Sequence, residues 1–170
     1  MKSTYSNIIS VTILIILLQV LFLNNINLFG YINPFLFLVL LIKMPEEIPK
    51  WSVLIYSFFI GIFLDIFQGN LGLHSSSLVF ITYLKPYLYK IIIPAKSIDE
   101  KDYFTLQKVG LQVFSIYTFI IILIYNSILF LLEYAYQIDI TFILIKIILS
   151  SIITFIIILI YQIFNYKIKS

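Results

Sequence analysis

The chain has 170 residues, of which 62% are hydrophobic and 11% are charged, and its formal net charge is +3. Soluble domains are about 45–50% apolar and about 25% charged, and disordered segments are polar, so the composition argues against both classes. The chain has no cysteine, no arginine and one histidine. These counts exclude a thiol nucleophile, a Cys-ligated or His-rich metal site and a bidentate arginine clamp for phosphate.

Six apolar runs follow one another along the chain, most of them close to the roughly 20 residues that cross a bilayer as a helix. They predict an all-α fold, a polytopic integral membrane bundle of six transmembrane helices, in a single domain over residues 1–170. No small-residue cleavage site follows the first run, so we expect it to be a retained helix and not a cleaved signal peptide. The predicted spans are 8–23, 28–42, 51–67, 71–93, 109–132 and 140–164.

Lysines occur in every second connection between these spans. The loops after spans 1, 3 and 5 contain none. Because cytoplasmic loops carry an excess of lysine and arginine, the pattern predicts that both termini are cytoplasmic. It also accounts for the net positive charge without binding to nucleic acid. The lysines of the predicted cytoplasmic side are Lys2, Lys43, Lys50, Lys90, Lys96, Lys101, Lys108, Lys167 and Lys169.

The longest loop, 94–108, has a helix-start signal of its own. Ser97 and Glu100 have the spacing of a capping box, so we expect a helix to begin near Ile98 on the cytoplasmic face. One interpretation is a solvated helix start, and the other is a contact surface for a cytoplasmic partner.

Four spans place a polar side chain in the outer third of the membrane, namely Gln19, Asp65, Asn126 and Lys146. Ionisable groups in a bilayer are costly and usually face a bundle interior or a cavity. We call these four residues the polar layer. One interpretation is that they hold the bundle together, and the other is that they form a proton relay or a substrate site.

Two stripes of residues spaced four apart indicate which faces point inward. Small residues in such a stripe allow helices to approach closely. We expect the two stripes to face each other and hypothesise that Asp65 pairs with Lys146. The stripes are Ser57, Gly61 and Asp65 on span 3, and Lys146, Ser150 and Thr154 on span 6.

Five further residues mark the two ends of span 4. Lys85 is expected to snorkel to the cytoplasmic interface as an anchor, at a helix end bent by Pro86. At the other end, Gly69 and Gly72 are expected to form a tight turn. His74 is expected to cap or pack at the start of the helix, with pH sensing or a contact to the nearby carboxylate as alternatives. One histidine beside one carboxylate does not make a metal site, so we expect no metal, no cofactor and no catalytic residue.

The segment 61–77, GIFLDIFQGNLGLHSSS, resembles the rod shape-determining protein MreD family. In that family a G-x-x-x-D helix end is followed by a glycine-rich turn and a small-residue run. The passage 23–34, LNNINLFGYINP, and the Lys85-Pro86 pair are similar to members from the Bacteroidetes. Spans 5 and 6 match only as apolar spans.

The resemblance implies a non-enzymatic inner-membrane scaffold of the cell-elongation machinery, which makes peptidoglycan and sets rod shape. Its partners would be an MreC-like bitopic membrane protein and, through it, MreB filaments, the RodA glycosyltransferase and a class B penicillin-binding transpeptidase. The implied fold is similar to the substrate-binding subunits of energy-coupling-factor transporters. The alternatives are a transporter or binding subunit for a small molecule or lipid-linked precursor, with the polar layer as its site, and, less favoured, an integral-membrane enzyme.

Overall fold

The computed structural model describes residues 2–23, 32–70, 72–94, 102–135 and 139–167, with side chains from Ser10 to Phe164 within those ranges. The described chain is helical and contains no strand, which confirms the all-α class. The helices are α1 Lys2–Leu21, α2 Leu38–Ile42, α3 Lys50–Gln68, α4 Leu73–Ile92, α5 Leu106–Val109, α6 Leu111–Glu133 and α7 Ile140–Lys167.

Three of these helices are long and apolar enough to cross a membrane. They are Lys50–Gln68, Leu111–Glu133 and Ile140–Phe164, which correspond to predicted spans 3, 5 and 6. Helix α4 is also 20 residues long, but two lysines and three serines make it less apolar. In α1, the apolar stretch Ser10–Leu21 is shorter than a full span.

The predicted second span, 28–42, is not one continuous helix in its described part, residues 32–42. Residues 33–37, which we call the broken segment, are not helical, and only the five residues of α2 form helix. Pro34 explains the interruption, because its ring disfavours helical geometry at the preceding residue and it has no backbone N–H to donate. Every residue from Phe35 to Ile42 is nevertheless buried. This stretch is therefore apolar because it lies in the protein core.

Helices α3 and α4 form a close pair joined by a short turn. Gly69 and Gly72 have φ values of 69° and 81°, a region that favours glycine. Within the pair, a Cβ atom at Gly61 would lie 2.2 Å from the Cα of Ser75, so only glycine permits this approach. Helix α4 also packs against α6, and α6 packs against α7.

The long loop packs against the protein at its end, and its predicted helix start lies outside the described residues. Ser97, Ile98 and Glu100 lie outside the described residues. In the described part, Phe104 stacks on Phe114 at 5.6 Å between ring centres and its N–H donates to the carbonyl of Lys43 at 3.2 Å. The end of this loop therefore packs on the turn that precedes α3.

Candidate functional site

Gln19, on α1, binds the backbone of the broken segment through both ends of its side-chain amide. Its Nε2 donates to the carbonyl of Pro34 at 2.8 Å, and its Oε1 accepts from the N–H of Leu36 at 2.9 Å. The side chain is fully buried. One glutamine thus satisfies two backbone groups that no helical hydrogen bond reaches.

Helix α7 binds the same segment from another side. The hydroxyl of Ser150 accepts from the N–H of Asn33 at 3.0 Å, and that of Thr154 accepts from the N–H of Phe35 at 3.1 Å. Non-helical backbone at membrane depth is tolerated only where protein or water satisfies its polar groups. The polar residues of α1 and α7 therefore satisfy the backbone of the buried broken segment.

Asp65 is an N-terminal cap of α4, supplied from the end of α3. Its Oδ1 accepts from the N–H of His74 at 2.8 Å and its Oδ2 from the N–H of Ser75 at 3.0 Å. The first N–H groups of a helix have no partner within the helix, and a negative charge there is favourable. The carboxylate thereby joins α3 to α4 at their connecting turn.

His74 continues this connection through its ring. Its Nε2 lies 2.7 Å from Oε1 of Gln68 on α3, and its Nδ1 lies 2.6 Å from the hydroxyl of Tyr125 on α6. Because an amide oxygen only accepts, Nε2 carries the proton and Tyr125 donates to Nδ1. Phe35 of the broken segment packs edge-on against the imidazole at 5.7 Å between ring centres. His74 therefore packs at the start of α4, and it meets Asp65 through its backbone N–H.

Lys146 has partners other than Asp65, so the hypothesis of an Asp65–Lys146 pair is wrong. Its Nζ donates to the hydroxyl of Tyr134, lies 3.7 Å from Oε1 of Glu133, and sits 4.8 Å from the ring centre of Phe130. Within the described ranges, these contacts and the Tyr134 ring account for its interactions.

The expectation that the two stripes face each other is wrong for the same geometric reason. The span 3 stripe faces α4, where Gly61 meets Ser75. The span 6 stripe faces the broken segment through Ser150 and Thr154. Phe35 contacts both sides, since its N–H bonds Thr154 and its ring packs on His74. Ser57 bonds the carbonyl of Leu54 within its own helix.

Asn126 connects α6 to α7, because its Nδ2 donates to the hydroxyl of Ser151 at 2.8 Å.

The four residues of the polar layer are all buried, yet each binds a different group. These four side chains do not meet at one point. Gln19 and Asp65 bind backbone groups, whereas Asn126 and Lys146 bind side chains.

Lys85 is buried in an ion pair, and its predicted position as an anchor at the membrane interface stays a prediction. Only 5% of the residue is exposed, and its Nζ lies 2.8 Å from Oε1 of Glu46 and 2.7 Å from the carbonyl of Met44. Helix α4 continues through Pro86 to Ile92, so the helix does not end there. The Glu46 carboxylate is a counter-ion that offsets the desolvation cost of burying the lysine.

Several partners were missed when the sequence was read alone, chiefly Glu46, Glu133 and Tyr134. A signal for the first existed, since Glu46 lies in the connection that the lysine pattern places on the same side as Lys85. A signal for Ser150 and Thr154 also existed, because a span interrupted by Pro34 needs acceptors for its N–H groups.

A cavity of about 310 Å³ opens where α1, α3 and α6 end. Its polar wall comes from Asn33, Gln68, Asn70 and Glu133, and its apolar wall includes Phe67. An open groove of about 450 Å³ runs beside the end of α3. The residues lining the groove are Ile62, Asp65, Ile66, Gly69, Asn70 and Gly72.

In the described part of the chain, no three His, Cys, Asp or Glu side chains are grouped closely enough to hold a metal ion.

Comparison with protein-family models, curated protein sequences and solved structures gave no match. The family resemblance of segments 23–34 and 61–86 therefore stays a prediction.

Proposed function

We propose that this chain is a non-enzymatic scaffold subunit of the bacterial cell-elongation complex, and that it binds an MreC-like bitopic protein in the inner membrane. The observation that carries the proposal is the use of the polar layer. Gln19 and Asp65 bind backbone groups, Asn126 binds a neighbouring helix and Lys146 binds residues at the end of α6. Polar groups engaged in this way stabilise a fold, which supports a scaffold role.

The motif behind the family resemblance has a structural use in this chain. Gly61 permits close approach of α4, Asp65 caps α4, and Gly69 and Gly72 form the turn between them. A motif that builds a helix pair suits a protein whose work is packing, and it needs no substrate to account for its residues.

The proposed topology has six crossings, with both termini cytoplasmic and a fold similar to the substrate-binding subunits of energy-coupling-factor transporters. The alternating lysines support the orientation. The buried broken segment with α2 would supply the second crossing, since Gln19 and Thr154 satisfy its backbone there.

The outward face of α3 is the proposed contact surface for the partner's transmembrane helix. Phe59, Ile66 and Phe67 are exposed on it, and the groove beside it contains Gly69 and Gly72. Small residues let a second helix approach, and association in lipid depends on such van der Waals fit.

Ile66→Trp is expected to reduce co-purification of the MreC-like partner several-fold, because the larger ring would fill the groove. The matched control is Ile156→Trp on the exposed face of α7, which should leave recovery unchanged. Both variants would be expressed as full chains, solubilised in mild detergent and captured through the same tag. Recovery equal for the two variants, or reproducible absence of the partner from the wild-type preparation, would contradict the proposed function.

A second candidate function, a binding or transport subunit for a small molecule or lipid-linked precursor, is favoured by the cavity at the ends of α1, α3 and α6. Recovery of an ATPase pair in the same co-purification, in place of an MreC-like protein, would select it.

A further inference from the structure

The cavity combines an unwound backbone with side chains from three helix ends. Asn33 and Pro34 of the broken segment line one side. Gln68 ends α3, Asn70 follows it, and Glu133 ends α6. Its volume of about 310 Å³ lies at the lower end of the roughly 300–1,000 Å³ of small-molecule sites. This is room for one small ring or headgroup.

The polar wall presents donors and acceptors that the described residues leave unused. The side-chain amide of Asn33, the Nε2 of Gln68 and the Oδ1 of Asn70 have no hydrogen-bond partner within those ranges, whereas the Oε1 of Gln68 accepts from His74 and from Asn70. Amides both donate and accept, and a carboxylate accepts. A fitting ligand must therefore offer donors and acceptors on neighbouring atoms, as hydroxyl groups do.

The charge at the cavity is balanced. Glu133 is the one ionisable side chain among the described lining residues. The Nζ of Lys146 lies 3.7 Å from its Oε1, and only 3% of the Lys146 side chain is exposed. About a third of the Glu133 side chain is exposed, and it lines the cavity. Because the carboxylate already has a counter-ion, a cation gains little there, and an anion would meet the carboxylate.

We propose that this cavity binds an uncharged, hydroxyl-rich group of the size of one sugar ring. The hydroxyls would bond the side-chain amides of Asn33, Gln68 and Asn70 and the carboxylate of Glu133, while Phe67 covers the apolar side of the ring. The same chemistry occurs in a free sugar and in the headgroup of a glycolipid. The cavity shares Phe67 with the proposed contact surface on α3 and Asn70 with the groove beside it. The inference does not rest on the scaffold function, because its test measures sugar binding to this chain without a partner protein.

Binding would be measured on the full chain with two probes. Methyl β-glucoside is titrated in detergent and followed by saturation-transfer NMR, and monoglucosyl diacylglycerol is titrated into nanodiscs and followed by native mass spectrometry. Binding of the glucoside assigns a free sugar, and binding of the glycolipid alone assigns a lipid headgroup. Ethanolamine and phosphatidylglycerol serve as the cationic and anionic comparisons.

Asn33→Ala and Asn70→Ala are each expected to weaken binding about tenfold, which one or two lost hydrogen bonds produce. Asp102→Asn, in the exposed ion pair with Lys108, is the control and should bind as the wild type does. Asn70 follows α3, and the described bond of its side chain is to the nearby Gln68. N70A is therefore expected to fold, and it keeps the test valid if N33A does not. No saturable binding of either sugar probe, binding unchanged in N70A, or tighter binding of ethanolamine or phosphatidylglycerol would overturn the proposal.

Discussion

Gln19→Leu is expected to lower the free energy of unfolding by about 2–6 kcal/mol. The substitution leaves the carbonyl of Pro34 and the N–H of Leu36 without partners, and each buried unsatisfied group costs about 1–3 kcal/mol. The measurement is equilibrium unfolding in mixed micelles of mild detergent and sodium dodecyl sulfate, followed by circular dichroism.

Gln162→Leu is the matched control for this substitution. Gln162 is also buried, but its Nε2 has no hydrogen-bond partner among the described residues. Replacing an unsatisfied buried amide by a similar apolar side chain is nearly neutral or stabilising. If Q19L were as harmless as Q162L, the broken segment would not depend on Gln19.

Lys85→Met is expected to cost about 3–5 kcal/mol of unfolding free energy, because removing one partner of a buried ion pair leaves the other charge uncompensated. The change removes both the ion pair with Glu46 and the hydrogen bond to the carbonyl of Met44. The Glu46 side chain is 17% exposed, so water relieves part of the penalty and the lower end of this range is expected. Thermal unfolding in detergent, followed by near-ultraviolet circular dichroism, would measure the loss.

Lys108→Met provides the comparison with an exposed pair. The side chains of Lys108 and Asp102 are each 42% exposed, and such pairs contribute at most about 1 kcal/mol. The double variant K85M/E46L should recover most of the stability lost in K85M, since it leaves no unpaired charge. An equal effect of K85M and K108M would contradict a larger contribution of the buried pair to stability.

The long apolar helices could be predicted from the sequence because continuous runs end at polar residues. The predicted spans 51–67 and 109–132 correspond to α3, Lys50–Gln68, and α6, Leu111–Glu133, with boundaries shifted by one or two residues. Hydropathy measures burial or lipid exposure and not helicity, so it could not show that the second span is broken. The Pro34 signal was present, but its consequence depends on acceptors from α7.

The stripes illustrate a second limit of sequence reasoning. A spacing of four shows that Ser57, Gly61 and Asp65 share one face of a helix, but it does not show which neighbour that face meets. In the structure Asp65 meets the start of α4 and Lys146 meets the end of α6. Charge complementarity suggested the wrong pair because the N-terminus of a helix also stabilises a carboxylate. The two backbone N–H groups at the start of α4 that bind Asp65 cannot be recognised from the residue types.

The proposed function depends on the structural use of these polar residues. Asp65 and Lys146 are the ionisable members of the polar layer, so a substrate site or proton relay would have to use them together. Separate structural roles instead predict that their contributions to stability are independent, because among the described residues they share no partner.

A double-mutant cycle with Asp65→Asn, Lys146→Met and the combined variant tests this most directly, with the free energy of unfolding as the readout. D65N alone should cost about 1–3 kcal/mol, because the amide cannot accept from both N–H groups of α4. We predict that the two single effects add to within about 0.5 kcal/mol. A coupling energy above about 1 kcal/mol would mean that Asp65 and Lys146 act as a pair, and would contradict the assignment of separate structural roles.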